Sequence, residues 1–219
     1  MSCILNIETS TSVCSVALSM DGEVLFAKAS FDGPSHAALL GVFVEEALSV
    51  LKKKGKKALD AVAVSSGPGS YTGLRIGVSV AKGLCFGFGI PLIGIHTLDI
   101  MAATVNSKGD SQIVSMTDNC LYCAMLDARR MEVYAAIYDA SLKPVRETKA
   151  DIVEVGTYAS YLEKGKVCFF GNGASKCKSV ITSPNAIFIE DIHPLAVNMI
   201  PLSEQAFAAG KFEDTAYFE

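Results

Sequence analysis

Residues 63–77 have the sequence AVSSGPGSYTGLRIG, in which a short apolar stretch runs into a glycine-rich turn and then into a helix-like segment. This pattern predicts a buried strand over Asp60–Ser65 and a helix over Leu74–Phe86. The same order recurs later, where the apolar Val167–Phe170 leads into the sequence GNGAS at residues 171–175. A unit of strand, glycine turn and helix therefore occurs once in each half of the chain.

The segments before each glycine turn also repeat. In the first half, Cys3–Glu8 and Val13–Met20 are apolar and extended, and Asp21-Gly22 is a typical hairpin turn that leads into a third strand ending near Ser30. In the second half, the matching strands are predicted at Leu121–Asp127, Glu132–Tyr138 and Leu142–Thr148. Three antiparallel strands followed by alternating helices and strands, used twice, is the plan of the actin-like ATPases.

The sequence thus predicts an α/β protein with the actin-like ATPase (ribonuclease H-like) fold. Two duplicated lobes are expected, each with a mixed sheet flanked by helices. The polar, turn-like stretch near Val105–Asp110 places the boundary between a lobe of residues 1–106 and a lobe of residues 107–219. The alternative is a pair of unrelated α/β lobes whose glycine turns are similar by chance.

The composition excludes several classes of protein. A chain of 219 residues, half of them hydrophobic, buries a substantial core, and its formal net charge of -4 argues against a broad basic surface that grips nucleic acid unaided. The sequence shows neither a signal peptide nor an apolar run of the roughly 18 residues that a membrane span needs. The 7 scattered cysteines, including the Cys120/Cys123 pair, are expected to be buried thiols in a reduced cytoplasm.

The helix after the first glycine turn carries small residues at intervals of four. Gly73, Gly77 and Ala81 have this spacing, and Gly83 and Gly87 follow. Each glycine inside a helix lowers the stability of the helix by up to about 1 kcal/mol relative to alanine. The usual compensation is that another backbone can approach closely where the side chains are missing. That backbone belongs either to the chain's own sheet or to a second subunit. A phosphate cradle at the helix start is a further hypothesis, although neither the P-loop nor the dinucleotide fingerprint is present.

Several segments together resemble the TsaB (YeaZ) family. They are ILNIETST at residues 4–11 with CSVAL at 14–18, GPGSYTGLRIG at 67–77, PLIGIHTL at 91–98 and DARRMEVY at 127–134. The resemblance implies a non-catalytic subunit of the bacterial complex that transfers threonylcarbamoyl to the adenosine next to the tRNA anticodon. It also implies a homodimer, a heterodimer with the catalytic homologue TsaD, participation of TsaE, and tRNA contact only through the complex. No cofactor is expected on this chain alone, with ATP and a metal entering through partners.

The resemblance assigns the dimer interface to two helices of the first lobe, near Ser35–Lys52 and Thr72–Gly87. The interface residues that it implies are Leu39, Leu40, Phe43, Gly67, Gly69, Ser70, Thr72, Gly73, Arg75, Ile76, Gly77, Val80 and Ala81. The nucleotide cleft of the fold is expected to be degenerate. Its candidate residual residues are Glu8, Thr9, Ser10, Asp127, Gly171 and Gly173.

The chain lacks the patterns that the related enzymes need. His36 is followed four residues later by Leu40, so the His-x-x-x-His metal pair of TsaD is incomplete, and His36 is expected to be a helix cap or a surface residue. This argues against a metallopeptidase or glycoprotease. Glu8 and Asp127 end the first strand of each lobe, which keeps a small-molecule kinase or ATPase as the alternative function. The loops after these carboxylates lack glycines for phosphate, so we expect no catalytic residue and no metal site.

Overall fold

The computed structural model describes residues 2–33, 35–55, 58–107 and 120–219. The chain divides into two compact units, one formed by Met1–Ile100 with Pro194–Glu219 and the other by Met101–His193. Its described elements are β1 (Cys3–Glu8), β2 (Cys14–Met20), β3 (Glu23–Ser30), α1 (His36–Lys53), β4 (Ala61–Ser65), α2 (Tyr71–Phe88), β5 (Leu92–Ile95), α3 (Thr97–Ser107), β6 (Leu121–Asp127), β7 (Glu132–Tyr138), β8 (Pro144–Ile152), α4 (Ala159–Leu162), β9 (Val167–Phe170), α5 (Ala174–Cys177), β10 (Ala186–Ile189) and α6 (Ala196–Ala208). Within this part of the chain, no helix has the length and apolar character of a membrane span.

A mixed five-stranded sheet forms the centre of the first unit, in the order β3-β2-β1-β4-β5. β1, β2 and β3 pair antiparallel, whereas β4 and β5 continue the sheet in parallel with β1. Side chains alternate across β1, so that Leu5 and Ile7 pack with residues of α1 and α2, while Ile4 packs with Met199 of α6 on the other face. Burial on both faces explains why β1, β4 and β5 are apolar at most positions, whereas the edge strand β3 is largely exposed.

The second unit repeats this arrangement with its own five-stranded sheet, in the order β10-β9-β6-β7-β8. β6, β7 and β8 pair antiparallel, and β9 and β10 continue in parallel with β6. On one face, Cys123 and Met125 of β6 pack with Leu162 of α4 and Cys177 of α5. The second sheet therefore buries its face under much shorter helices than the first.

The shared strand order confirms the predicted duplicated actin-like α/β fold. The predicted hairpin is also present, since Asp21 and Gly22 both have positive φ, at 50° and 82°, as a type I′ turn requires. The last antiparallel strand of the second unit begins at Pro144 and continues to Ile152, beyond the end predicted at Thr148. The bounds of the other predicted strands agree with the structure to within a residue or two, whereas β10 was not predicted.

The C-terminal helix α6 packs against the sheet of the first unit, although it lies at the end of the second half of the sequence. Its first N–H, that of Ala196, donates to the hydroxyl of Ser15 on β2 at 2.9 Å. The lobe predicted over residues 107–219 therefore differs from the observed division, because Pro194–Glu219 covers the face of the first sheet that α1 and α2 leave open. Residues 108–119, which include part of the predicted boundary, lie outside the described residues.

Candidate functional site

The glycine-rich turn before α2 holds the loop between β1 and β2 (residues 9–13, the β1–β2 loop). The N–H of Ser70 donates to the carbonyl of Ser10 at 2.6 Å, and the hydroxyl of Thr9 donates to the carbonyl of Gly73 at 2.8 Å. A Cβ on Gly69 or Gly73 would overlap the backbone of this loop. Glycine is therefore required at both positions, because only its bare backbone permits the approach.

The stripe of small residues on α2 faces inwards. Gly73, Gly77 and Ala81 are all buried, and a Cβ on Gly77 would overlap the hydroxyl of Thr9 and touch the side chain of Val64. Of the two hypotheses for this stripe, contact with the chain's own loop and sheet is the one observed. This corrects the expectation that the stripe meets a partner subunit. The same correction applies to the other predicted interface residues that are buried, Leu40, Phe43 and Gly67.

The start of α2 offers few free donors to an anion. Ser70 caps the helix by accepting a hydrogen bond from the N–H of Gly73 at 3.3 Å, and its own N–H is bound to Ser10. A helix N-terminus binds phosphate through N–H groups that lack a partner in the chain. The internal hydrogen bonds thus weaken the phosphate-cradle hypothesis.

His36, the first residue of α1, belongs to the same cluster. Its side chain is only 5% exposed, and its Nε2 lies 2.7 Å from the carbonyl oxygen of Thr11 in the β1–β2 loop. Since a carbonyl only accepts, Nε2 carries the proton and donates it. The prediction of a cap or surface residue is wrong, because His36 ties α1 to the loop. A single histidine forms no pattern in a sequence, so this role had no detectable signal.

Glu8 ends β1 and is completely buried. Burial raises the pKa of its carboxyl group to about 7, although hydrogen bonding by Ser10 and the nearby hydroxyl of Ser65 act in the opposite direction. Its Oε1 accepts a hydrogen bond from the N–H of Ser10 at 2.5 Å. The predicted residues Glu8, Thr9 and Ser10 thus lie together, but they are enclosed by the first unit itself. A carboxyl group in this position is poorly placed to receive hydrated Mg²⁺ with a nucleotide.

Asp127 ends β6, at the equivalent place in the second unit. Its carboxylate forms an ion pair with Lys176 of α5. The same ammonium group donates to the backbone carbonyl of Arg129 in the turn after β6 and to that of Glu132, the first residue of β7. A Cβ on Gly171 or Gly173 would overlap the backbone at the end of β6. The second glycine turn therefore packs directly against the last residues of the first strand of its sheet.

Over residues 2–33, 35–55, 58–107 and 120–219, no three His, Cys, Asp or Glu side chains come together as a metal site. Cys120 and Cys123 are buried thiols, as predicted, and burial raises the pKa of the Cys123 thiol well above its usual range. The six candidate cleft residues are divided between the units, with Glu8, Thr9 and Ser10 in the first and Asp127, Gly171 and Gly173 in the second.

The exposed side of α1 and α2 carries apolar and small residues. The two helices contact each other and the same face of the first sheet. Phe86 is 90% exposed and Tyr71 is 69% exposed, and the guanidinium group of Arg75 stacks on the Tyr71 ring at 4.2 Å from its centroid. We define the α1–α2 outer face by its exposed residues Ala37, Ala38, Gly41, Val42, Tyr71, Thr72, Arg75, Ser79, Gly83, Phe86 and Gly87.

Seven of the predicted interface residues border or belong to this surface. Gly69, Ser70, Thr72 and Arg75 are exposed, whereas Leu39, Ile76 and Val80 are half-buried. The sequence pattern did not single out Tyr71, Phe86 or Gly41. Their common signal, an apolar or small residue on the solvent side of an amphipathic helix, is visible only once the buried side of each helix is known.

Comparisons with known proteins cover nearly the whole chain. The family model described as tRNA N6-adenosine threonylcarbamoyltransferase (TsaD) matches residues 32–183. The tRNA threonylcarbamoyladenosine biosynthesis protein TsaB of Escherichia coli K12 is 31% identical over 95% of this chain and 88% of its own length.

Two solved structures from Pseudomonas aeruginosa are similar along the full fold. YeaZ matches with a TM-score of 0.79 and 25% identity, covering 99% of this chain and 97% of its own. A protein described as similar to the peptidase YEAZ matches with a TM-score of 0.81, 26% identity and the same coverage. With the sequence relatives, these matches show that the chain belongs to the TsaB (YeaZ) family of tRNA threonylcarbamoyladenosine biosynthesis proteins.

Proposed function

We propose that this chain is a non-catalytic subunit of the cytoplasmic complex that transfers threonylcarbamoyl to adenosine next to the tRNA anticodon. It binds the catalytic subunit TsaD through the α1–α2 outer face, and it forms a homodimer through the same face when TsaD is absent. ATP, the metal and most of the tRNA contact enter through the partners TsaD and TsaE.

The observation that carries this proposal is a set of helix glycines with nothing beside them. Gly41 in α1 and Gly83 and Gly87 in α2 have no atom within 4 Å of the position that a Cβ would take. Each weakens its helix by up to about 1 kcal/mol relative to alanine. Because no contact within the described chain compensates for that loss, a partner that packs closely against the two helices is the physical reason for them.

The chemical character of the outer face supports the same conclusion. An almost fully exposed phenylalanine and an arginine stacked on tyrosine are residue types that dominate protein interfaces. Small residues beside them let a facing helix approach closely enough to bury Phe86.

The lack of catalysis is supported by the state of the two strand-end carboxylates. Glu8 is enclosed by the β1–β2 loop, and Asp127 is neutralised by Lys176. A kinase or ATPase would need these carboxylates free to position Mg²⁺ and the attacking group. The alternative function therefore has no specific observation in its favour.

The test is size-exclusion chromatography with light scattering, on the chain alone and mixed with TsaD of the same organism, using wild type and Gly83→Arg. Arginine has a higher helix propensity than glycine and meets only open space at this position, so the variant should fold. We expect wild type to exchange from a homodimer into a heterodimer and Gly83→Arg to lose at least about tenfold in both affinities.

Gly165→Arg provides the matched control, because Gly165 lies in the second unit and is also surrounded by open space. This variant should associate like wild type. If Gly83→Arg retained the heterodimer, the outer face would not be the TsaD interface. If wild type remained monomeric and indifferent to TsaD, the subunit proposal would be overturned.

A further inference from the structure

The turn between β6 and β7 carries two successive arginines in an unfavourable backbone conformation. Arg129 and Arg130 both have positive φ, at 69° and 38°. Residues with a Cβ rarely adopt this left-handed conformation, and turns that require it usually carry glycine, asparagine or aspartate. Two arginines are a poor choice for a turn that only reverses the chain, so their side chains point to a further role.

Contacts from the rest of the second unit hold the turn in this shape. The N–H of Arg129 donates to the carboxylate of Asp127 at 3.0 Å. The ammonium group of Lys176 donates to the carbonyl of Arg129 at 3.2 Å and to that of Glu132 at 2.7 Å. Directly after the arginines, Met131 packs against the core of the second unit. None of these contacts uses a guanidinium group, so the turn does not need arginine for its own stability.

The two guanidinium groups are open to a ligand. Both arginines are exposed, and within residues 2–33, 35–55, 58–107 and 120–219 neither side chain forms an ion pair, a hydrogen bond or a ring contact. The neighbouring carboxylate of Asp127 is already paired with Lys176. A planar guanidinium group with five donors matches the oxygens of a phosphate better than any other side chain does. The turn therefore presents two side chains suited to phosphate.

The position of the arginines favours a polyanion over a small phosphate compound. Small ligands bind in concave sites that enclose most of their surface, whereas these arginines lie on an exposed hairpin turn. RNA carries a phosphate at every nucleotide, so a projecting turn can contact two of them along the backbone. Such contacts fix the position of the nucleic acid without reading its sequence.

We propose that Arg129 and Arg130 contact the phosphate backbone of the tRNA when this chain is assembled with TsaD and TsaE. The inference rests on the proposed function, which brings tRNA to the complex, and it adds a direct contact from the second unit to those that the partners make. Since the formal net charge of the chain is -4, the contact is local and involves about two phosphates, one for each arginine.

The test measures, by fluorescence anisotropy, the affinity of the assembled complex for a labelled, unmodified tRNA transcript between about 0.05 and 0.3 M KCl. Wild type is compared with the double variant Arg129→Asn/Arg130→Asn, because asparagine tolerates the left-handed conformation and should keep the turn intact. At about 0.1 M KCl, the dissociation constant should rise several-fold for each arginine removed. The slope of log Kd against log salt should fall by about 1 per arginine, which a merely structural role would not cause.

Lys143→Asn/Lys166→Asn is the matched control. It removes the same charge from two exposed positions of the second unit, at the opposite end of β6 and β7 from the turn, and should bind tRNA like wild type. Both double variants should form the heterodimer with TsaD, because the α1–α2 outer face belongs to the first unit. The urea midpoint of the arginine variant should be at least that of wild type, since asparagine relieves the strain in the turn.

Four outcomes would overturn the inference, and they separate it from the proposed function. Unchanged affinity and salt slope in the arginine variant, with assembly intact, would refute the tRNA contact and leave the proposed function standing. An equal loss of slope in the lysine control would refute it too, since net charge alone would then explain the effect. Loss of assembly with TsaD or TsaE would assign the arginines to carboxylates of a partner protein. If wild type did not associate with TsaD, the proposed function would fail, and this inference with it.

Discussion

Replacing Gly73 by alanine should destabilise the first unit, whereas the same change at Gly83 should stabilise it. Both glycines lie inside α2, so alanine raises the helix propensity at each by about 1 kcal/mol. At Gly83 the new methyl group meets open space, and this gain is the whole effect.

At Gly73 the methyl group would overlap the carbonyl oxygen of Thr9 and crowd the ring of His36. Overpacking of this kind costs about 1–3 kcal/mol, and displacement of the loop also weakens the hydrogen bond from Thr9 to Gly73, for about 1 kcal/mol more. After the gain in helix propensity, the net destabilisation is about 1–3 kcal/mol. The two alanine variants should therefore differ by about 2–4 kcal/mol.

The assay is urea denaturation followed by circular dichroism, with wild type and both variants at one low protein concentration. The concentration is fixed because association would raise the apparent stability by mass action. The unfolding midpoint of Gly73→Ala should fall and that of Gly83→Ala should rise, with similar slopes. Midpoints that move together in one direction would refute the assignment of Gly73 to the inward side of α2 and Gly83 to the outward side.

Three further predictions concern single buried or half-buried groups. His36→Ala should lower the free energy of unfolding, measured by urea denaturation, by about 2–4 kcal/mol, because it removes buried ring volume and leaves the carbonyl of Thr11 unpaired. His96→Ala, the same change at an exposed position, should have little effect. Lys176→Met should speed amide hydrogen exchange in the turn after β6, because the ammonium group that links this turn to Asp127 is lost. The free energy of local opening should fall by about 1 kcal/mol. The contribution of Glu8 to the free energy of unfolding should be largest below about pH 4.5 and should fall by about 3 kcal/mol as pH rises through about 7, because the folded state favours the protonated carboxyl group. Urea denaturation of wild type across this pH range should show this loss of stability, and Glu8→Gln should not show it.

The strands and their order were predictable because their signals are local. Apolar runs of five to seven residues end at Glu8, Ser65 and Asp127 and are bounded by turns with distinctive chemistry, and the pattern occurs twice. Repetition strengthens such a prediction, since each half checks the other. The position of α6 has no comparable signal in the sequence, because a helix at the end of a chain can pack against either sheet. Its position is determined by the apolar face of the first sheet that α1 and α2 leave uncovered.

The direction of the glycine stripe could not be predicted from spacing. A period of four places Gly73, Gly77 and Ala81 on one side of a helix, but it is silent on whether that side meets the chain's own backbone or another one. The β1–β2 loop decides the question, since Thr9 occupies the space that the missing side chains leave. Gly83 and Gly87 of the same helix instead lie on its exposed side, with open space beside them.

The glycine turns of the two units pack against their own sheets in a similar way, although Glu8 is buried and the side chain of Asp127 is 48% exposed. After β4, Gly69 and Gly73 lie against the loop that follows β1. After β9, Gly171 and Gly173 lie against the last residues of β6 itself. A cleft abandoned by random substitution would not be expected to acquire the same close backbone packing twice. The packing belongs to the duplicated fold, and the helix glycines that have open space beside them, Gly41, Gly83 and Gly87, lie on the exposed side of α1 and α2.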